Sequence, residues 1–274
     1  CLGSGWLTRP MSDDPTSPPD PAPPGLSLTG ERTLPDIPDE NYWFQRHVAA
    51  YRHVAGRVSG TVVDAGCGEG YGLRILHDAG ARGVIGVDGD EATVLHARAR
   101  YAGESIEVVE ADLTDLPLVV DTMDAAISLQ VIEHLHDVPE FLAELARITR
   151  PGGTIAISTP NRLTFTPGST TPTNPFHVRE YTADELRAAM EDAGITVTLV
   201  EGVHHGGTLA TALGAHVGTG GDTGGGGRLA AVLADPDGWS DDLRRIVHAI
   251  TPDDFTITTD DLDASLDLVA WGRV

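Results

Sequence analysis

The sequence predicts an α/β domain with a doubly wound, mostly parallel seven-stranded sheet whose last strand runs antiparallel. Three observations lead there. From Thr61 onward, short apolar runs alternate with helical stretches, the order that sets strands side by side with helices on the sheet faces. The first run ends in a Gly-rich turn, Gly66-Cys67-Gly68-Glu69-Gly70, which brings backbone N–H groups close to a ligand. The second run ends in Asp88, at the strand end where open α/β sheets bind their ligands.

Strands are expected at Thr61 to Asp64, Gly83 to Asp88, Ile106 to Glu110, Asp124 to Leu129, Thr154 to Ser158, Thr196 to Val200, and near Leu266 to Trp271. Between the first two, Tyr71 to Ala79 reads as a helix with Leu73, Leu76 and Ala79 on one face. Glu91 to Tyr101 and about Pro139 to Thr149 are the next helices, and Arg150-Pro151-Gly152-Gly153 is a turn. Thr182 caps a later helix, with Glu185 three residues on as in a capping box. Upstream, Asn41-Tyr42-Trp43-Phe44-Gln45-Arg46-His47 opens a helix to about Arg57, an aromatic concentration in a chain that is only 5% aromatic.

Residues 1–30 are expected to be a disordered extension, because the stretch from Met11 is rich in Pro, Asp and Ser and lacks apolar periodicity. Cys1 to Pro10 precede the first methionine and read as an upstream extension. Residues 31–60 form a cap or lid. Residues 61–274 form the main domain, with an insertion near 203–260 that holds two helices and a Gly-rich run, Gly218 to Gly227, read as a mobile loop.

The formal charge of −23 argues against nucleic acid or an anionic membrane as partner, since both need a basic surface. It is read as a solubility feature. All 18 basic residues are Arg, and without Lys a Schiff-base or pyridoxal enzyme is excluded. No apolar run approaches the roughly 20 residues of a membrane span, and no secretory leader is expected, because the start lacks a charged stretch followed by an apolar one. The two cysteines, Cys1 and Cys67, provide no disulfide framework, so a cytoplasmic protein is expected.

The turn has the form Asp64-x-Gly66-x-Gly68-x-Gly70. A dinucleotide fingerprint, G-x-G-x-x-G, would need its third Gly at position 71, which is Tyr71. Asp64 would repel a pyrophosphate but can orient a cationic amino-acid ligand through water or the backbone. Asp88 can accept hydrogen bonds from two ribose hydroxyls, or be only a strand-end turn residue. In Glu110-Ala111-Asp112-Leu113 an acid can accept the adenine amine while Leu113 offers an apolar face.

With these motifs in order, together with Asp124 to His134 and Arg150-Pro151-Gly152-Gly153, the chain resembles the class I S-adenosylmethionine (SAM)-dependent methyltransferases over about residues 40 to 200. The resemblance implies a Rossmann-like fold and SAM as cofactor. It places Gly66, Gly68 and Gly70 against the methionine part, Asp88 on the ribose and Asp112 on the adenine amine. Asp64, Gly89, Leu113 and Gln130 complete the expected cofactor set.

The fourth strand ends in Gln130-Val131-Ile132-Glu133-His134-Leu135, so Glu133 and His134 lie where a methyl would be transferred, or simply open the next helix. A hydroxyl acceptor must be aligned and lose its proton, work suited to His near neutral pH. His177, in Asn174-Pro175-Phe176-His177-Val178-Arg179-Glu180-Tyr181-Thr182, lies on the connection from Thr159 to Tyr181 that should arch over the same crevice. The catalytic candidates are therefore His134, Glu133 and His177.

The same three residues make a possible metal site. It resembles that of the metal-dependent branch, which includes small-RNA 2′-O-methyltransferases and some ubiquinone-pathway O-methyltransferases. Those carry Glu-x-x-Glu-His, and here Gln130 replaces the first Glu. A divalent ion such as Mg²⁺ favours oxygen ligands, whereas two His suit a transition metal better. His204-His205 can reach the acceptor or be loop residues. Tyr42-Trp43-Phe44 can stack on a ligand or pack on the sheet. Cys67 is read as a small residue chosen for space.

Leu28-Thr29-Gly30-Glu31-Arg32, Tyr42-Trp43-Phe44, Thr159-Pro160-Asn161 and Asn174-Pro175-Phe176-His177 are together similar to actinobacterial methyltransferases of polymethylated-polysaccharide pathways. That resemblance implies an oligosaccharide hydroxyl as acceptor. The alternatives are O- or N-methylation of a small quinone, phenol or amine, a non-catalytic SAM-binding protein, and an NAD-dependent oxidoreductase, against which Tyr71 argues.

Overall fold

A computed structural model of the chain describes residue 26, residues 32–217 and residues 226–274. The disorder expected for residues 1–30 lies outside the described residues apart from Leu26. So does the Gly-rich run from Gly218, apart from its last two residues.

In chain order the elements are α1 (Asn41–Ala55), β1 (Thr61–Ala65), α2 (Tyr71–Asp78), β2 (Gly83–Asp88), α3 (Glu91–Tyr101), β3 (Ile106–Glu110) and β4 (Met123–Leu129). They continue as α4 (Val138–Ile148), β5 (Thr149–Pro160), α5 (Arg162–Phe165), α6 (Ala183–Asp192), β6 (Thr196–His205), α7 (Gly207–Val217), α8 (Gly226–Leu233), α9 (Asp241–Ala249), β7 (Phe255–Thr258) and β8 (Asp267–Arg273). Among the described residues the strands form one eight-stranded sheet in the order β3-β2-β1-β4-β5-β8-β6-β7. Neighbours from β3 to β5 are parallel, whereas β8 is antiparallel to both β5 and β6. The chain reverses direction across the sheet between β1 and β4, which opens a crevice at their carboxyl ends.

The central strands are buried on both faces, as parallel strands covered by helices must be. Val62, Val63, Val84, Ile85, Ala126, Ile127, Ile155 and Ile157 are all buried. Tyr51, Val54, Leu73, Leu76 and Val94 pack in one apolar cluster. Phe141, Leu142, Leu145, Leu186 and Met190 pack in a second. Helix starts follow local chemistry. The Asp90 carboxylate accepts from the Thr93 N–H at 2.7 Å, and Thr182 with Glu185 forms the expected reciprocal capping box.

The seven-strand expectation is corrected to eight. β6 runs on to His205, and its last residues pair antiparallel with β7, inside the segment read as an insertion. The apolar run stops at Glu201, which hid the continuation. The Glu201 side chain is nonetheless buried, because His53, Arg57 and the Trp271 indole N–H all bond to it. Among its described residues the insertion also holds three α-helices, α7, α8 and α9, where two helices were expected. The turn Arg150-Pro151-Gly152-Gly153 lies within β5 as a looped-out irregularity: Met123 pairs with Thr149 and Ala125 already with Thr154. Among the described residues no helix is long and apolar enough to cross a membrane.

Residues 41–55 are bound firmly to this body. Tyr42, Val48, Ala50, Tyr51 and Val54 of α1 are buried. Arg46 forms a buried ion pair with Asp267 at the start of β8, its Nε donating to Oδ2 at 2.5 Å, and its second nitrogen also reaches the Leu266 carbonyl at 3.0 Å. Removing one partner of a buried ion pair strands the other charge, which typically costs about 3–5 kcal/mol. Arg46→Leu is therefore expected to lose stability of that order in urea denaturation. Arg46→Leu combined with Asp267→Leu should recover most of it.

Candidate functional site

The turn after β1 takes the left-handed backbone that glycine permits, with φ of +83° at Gly66 and +53° at Gly68. A Cβ on Gly66 would lie 2.4 Å from Val131 Cγ2, so the turn sits directly against the loop that follows β4. A Cβ on Gly68 would meet nothing within 4 Å, leaving that side open to a ligand. The Gly68 N–H donates to Asp88 Oδ2 at 2.9 Å, and the Asp90 N–H donates to Asp88 Oδ1 at 3.0 Å. Asp88 is thereby fixed at the crevice with lone pairs remaining on both oxygens.

Gly89 and Asp112 are exposed beside it, and Leu113 is half-buried. Asp112 accepts from the Thr114 N–H and hydroxyl, which holds its carboxyl below the usual range. Gln130 closes the strand end with φ of +60°, unusual for a residue other than glycine, and its side chain donates to Ser158 Oγ at 2.9 Å.

Asp64 is fully buried and does not open onto the crevice. Tyr51 Oη donates to its Oδ2 at 3.0 Å, and its Oδ1 has no partner among the described residues. Burial pushes its pKa up to about 7, opposed by the Tyr51 bond and reinforced by Asp88. Any effect on a ligand therefore passes through the turn. Sequence reasoning missed Glu69. Its buried carboxylate turns away from the crevice and ties the turn to α3 through His96, Arg100 and Tyr101.

Beyond the strand ends lies a cavity of about 890 Å³, whose wall includes Trp43, Gln130, Glu133, His134, Phe165 and His177. The structure brings the three catalytic candidates together: donor atoms of Glu133, His134 and His177 all lie within 4.8 Å of one another. The two imidazole rings stand 5.0 Å apart at 79°. Glu133 is buried, accepts from Thr159 Oγ1 at 3.0 Å, and is pushed up to about 8, chiefly by burial. His134 Nδ1 faces the Phe176 carbonyl at 3.0 Å, so that nitrogen carries a proton.

His177 is fixed from both sides. Its Nδ1 faces Glu180 Oε1 at 2.9 Å, and its Nε2 faces the Asn174 amide nitrogen at 3.0 Å. The Phe176 N–H donates to Asn174 Oδ1 at 3.0 Å, which sets the amide's orientation. From this network we assign Nδ1 as the donor and Nε2 as the acceptor.

The three side chains offer one oxygen and two nitrogens to a divalent ion, a set that suits a transition metal. Ligation through His177 Nε2 would displace the Asn174 amide, while the His134 Nδ1 bond to Phe176 and the Glu133 bond to Thr159 are of the kind that orients a ligand. Gln130, at the position of the missing acid, is turned to Ser158.

Other aromatic and histidine candidates divide. Trp43 faces the cavity, with the Arg46 guanidinium 5.5 Å from its ring centre. Tyr42 is buried against Trp43 and Phe255, and Phe44 packs on Tyr71. His204 and His205 end β6 away from the cavity wall. His205 Nε2 lies 2.7 Å from Tyr42 Oη, and burial lowers its pKa to about 4. Cys67 is buried and lies close over Gly86, in keeping with a small residue in a tight place.

The model of a methyltransferase domain matches residues 63–157. A protein of Mycolicibacterium smegmatis named as a probable S-adenosylmethionine-dependent methyltransferase is 46% identical over 252 residues, covering 90% of this chain and 95% of that one. A Mycobacterium tuberculosis protein of the same description is 43% identical over 263 residues, covering 94% and 93%. Among solved structures, a chain of the complex between the Haloferax volcanii Trm112 methyltransferase activator and a methyltransferase superposes with a TM-score of 0.60. It is 23% identical and covers 86% of this chain and 93% of its own, a likeness of fold. The chain belongs to the SAM-dependent methyltransferases. The fixed Asp88 carboxylate and the open side of Gly68 are compatible with that cofactor.

Asp88→Ala is expected to weaken SAM binding about 10- to 100-fold, the scale of lost hydrogen bonds to a charged group. Isothermal calorimetry reads it, and unchanged affinity would show the ribose to be held elsewhere. Asp64 gives a pH prediction. Its folded pKa is raised from 3.8 to about 7, so the stability it contributes is complete below about pH 4 and is lost as pH rises through 7. The Tm of Asp64→Asn relative to the natural protein should climb across that window and level off above it, with SAM absent.

Proposed function

We propose that the chain is an O-methyltransferase that moves the methyl group of SAM to a sugar hydroxyl of an oligosaccharide or polysaccharide precursor. The observation that carries this reading is the His177 Nε2 lone pair at the wall of a cavity large enough for such an acceptor. SAM supplies an electrophilic methyl on a sulfonium. The chain has to bind the acceptor, align one hydroxyl with that methyl and take its proton, and neutral imidazole does the last near neutral pH. Glu133 and His134 flank the same point and can hold the hydroxyl in line. Trp43 and Phe165 offer ring faces for a pyranose, with polar side chains between them. The polar side chains beside these rings, Ser169, Thr173 and Asn174 among them, suit a neutral polyol.

The closeness of the Glu133, His134 and His177 donor atoms supports a second reading, in which the three would hold a divalent ion whose charge would acidify the hydroxyl. In that case the same three side chains serve as ligands.

Transfer of labelled methyl from SAM is to be measured across methylglucose and methylmannose oligosaccharides, phenols, quinones and amines, with and without a chelator. Label is expected in the oligosaccharide fraction. His177→Ala should lower the rate about 10²- to 10⁴-fold, the scale of general-base catalysis, with SAM affinity nearly unchanged. Label only in phenols, quinones or amines would overturn the sugar reading. SAM binding with no transfer to any acceptor would point to a non-catalytic protein. Loss of activity on chelation would favour the metal.

A further inference from the structure

We propose that Glu180 is the positioning residue of the transfer: it sets the His177 tautomer and holds the charge that develops on that ring. This rests on the reading of His177 as the base.

The Glu180 side chain is completely buried. One carboxylate oxygen accepts from His177 Nδ1–H, and the other, Oε2, is buried and has no hydrogen-bond partner among the described residues. A carboxylate buried with so little compensation is costly, and a leucine or glutamine would be cheaper to bury there. The acid is also held rigidly. The Val178 and Arg179 N–H groups both donate to the Glu133 carbonyl, at 2.7 and 3.2 Å, and the Arg162 N–H donates to the Tyr181 carbonyl at 2.9 Å. The segment carrying His177 and Glu180 is therefore fastened on one side to the loop after β4 and on the other to α5. Asn174 completes the arrangement, because its amide N–H can point at Nε2 only if that nitrogen is unprotonated.

In the transfer, the acceptor hydroxyl takes the place of the Asn174 N–H at Nε2. The hydroxyl oxygen forms its bond to the methyl carbon as the carbon–sulfur bond breaks, and that electron pair stays on sulfur. The hydroxyl proton passes to Nε2, and the resulting imidazolium keeps its Nδ1–H on Glu180. The carboxylate thus offsets a positive charge that exists only during and after transfer. A fixed charge aimed at charge that develops in the transition state acts on kcat more than on binding.

The test has two readouts on the full-length chain. The first needs no acceptor. In an Asn174→Ala background, where the amide no longer holds Nε2, the ring ¹⁵N shifts of His177 should report a proton on Nδ1 with Glu180 present and a mixed or Nε2–H ring once Glu180→Leu is added. The second uses a mixture of methylglucose and methylmannose oligosaccharides. Glu180→Gln and Glu180→Leu should lower kcat about 10²- to 10⁴-fold, the scale of general-base catalysis. The acceptor KM and SAM affinity should stay within about twofold, and Glu180→Asp should restore part of the rate. An unchanged tautomer in Asn174→Ala/Glu180→Leu would overturn the proposal, as would a loss confined to KM or SAM affinity. An inactive His177→Ala beside a fully active Glu180→Gln would defeat this proposal alone. A fully active His177→Ala would defeat the base reading beneath it.

Discussion

At Gly66 the turn after β1 lies against Val131 so closely that a single added carbon would stand 2.4 Å from the valine methyl. Glu133 and His134 follow two and three residues later. One packing contact therefore sets the spacing between the turn that faces the cofactor and the loop that carries the chemistry. The hydrogen-bond network extends it outward: Gly68 is tied to Asp88, Glu69 to α3, and the Glu133 carbonyl to the segment holding His177. Donor side and acceptor side are parts of one rigid arrangement, as alignment for an in-line displacement requires.

The cavity wall depends on a second constraint, the burial of charge. Arg46 and Asp267 join α1 to the last strand, and Trp43 and His47 reach the cavity from that helix. Thr33 Oγ1 lies 3.2 Å from His47 Nδ1 and 3.0 Å from Tyr71 Oη, so the residues before α1 cross toward α2 at the edge of the same wall. The stretch expected as a cap is thus part of the wall of the site. Helix α8, from the segment expected as an insertion, supplies Ala230 and Leu233 to the cavity wall, and Ala234 follows directly after it.

Much of this was legible in the sequence because it is local. Alternating periods gave β1 to β5, and the order of acids and glycines marked the turn, Asp88 and Asp112. Thr182 and Glu185 gave the capping box. What escaped depends on partners distant in the chain. Glu201 looked like the end of a strand because His53, Arg57 and Trp271, which make its burial tolerable, are far away in sequence. The short β7, Phe255-Thr256-Ile257-Thr258, does alternate, but four residues are a weak signal alone, and its strand partner is the part of β6 that continues past Glu201. Asp64 carries the expected spacing but faces Tyr51 and the interior, which spacing alone does not reveal. Glu180 lay within the segment singled out around His177, and its position three residues on was the available signal. Its role shows only once the ring and carboxylate are placed.

The most direct test of a methyl-transfer site between these loops is a crystal structure of the full-length chain with S-adenosylhomocysteine. The expected result is a ligand lying along Gly66-Gly68-Gly70 with its ribose on Asp88. Its sulfur should open into the cavity toward His177 Nε2. A ligand whose sulfur points away from that cavity, or is walled off from His177, would contradict it.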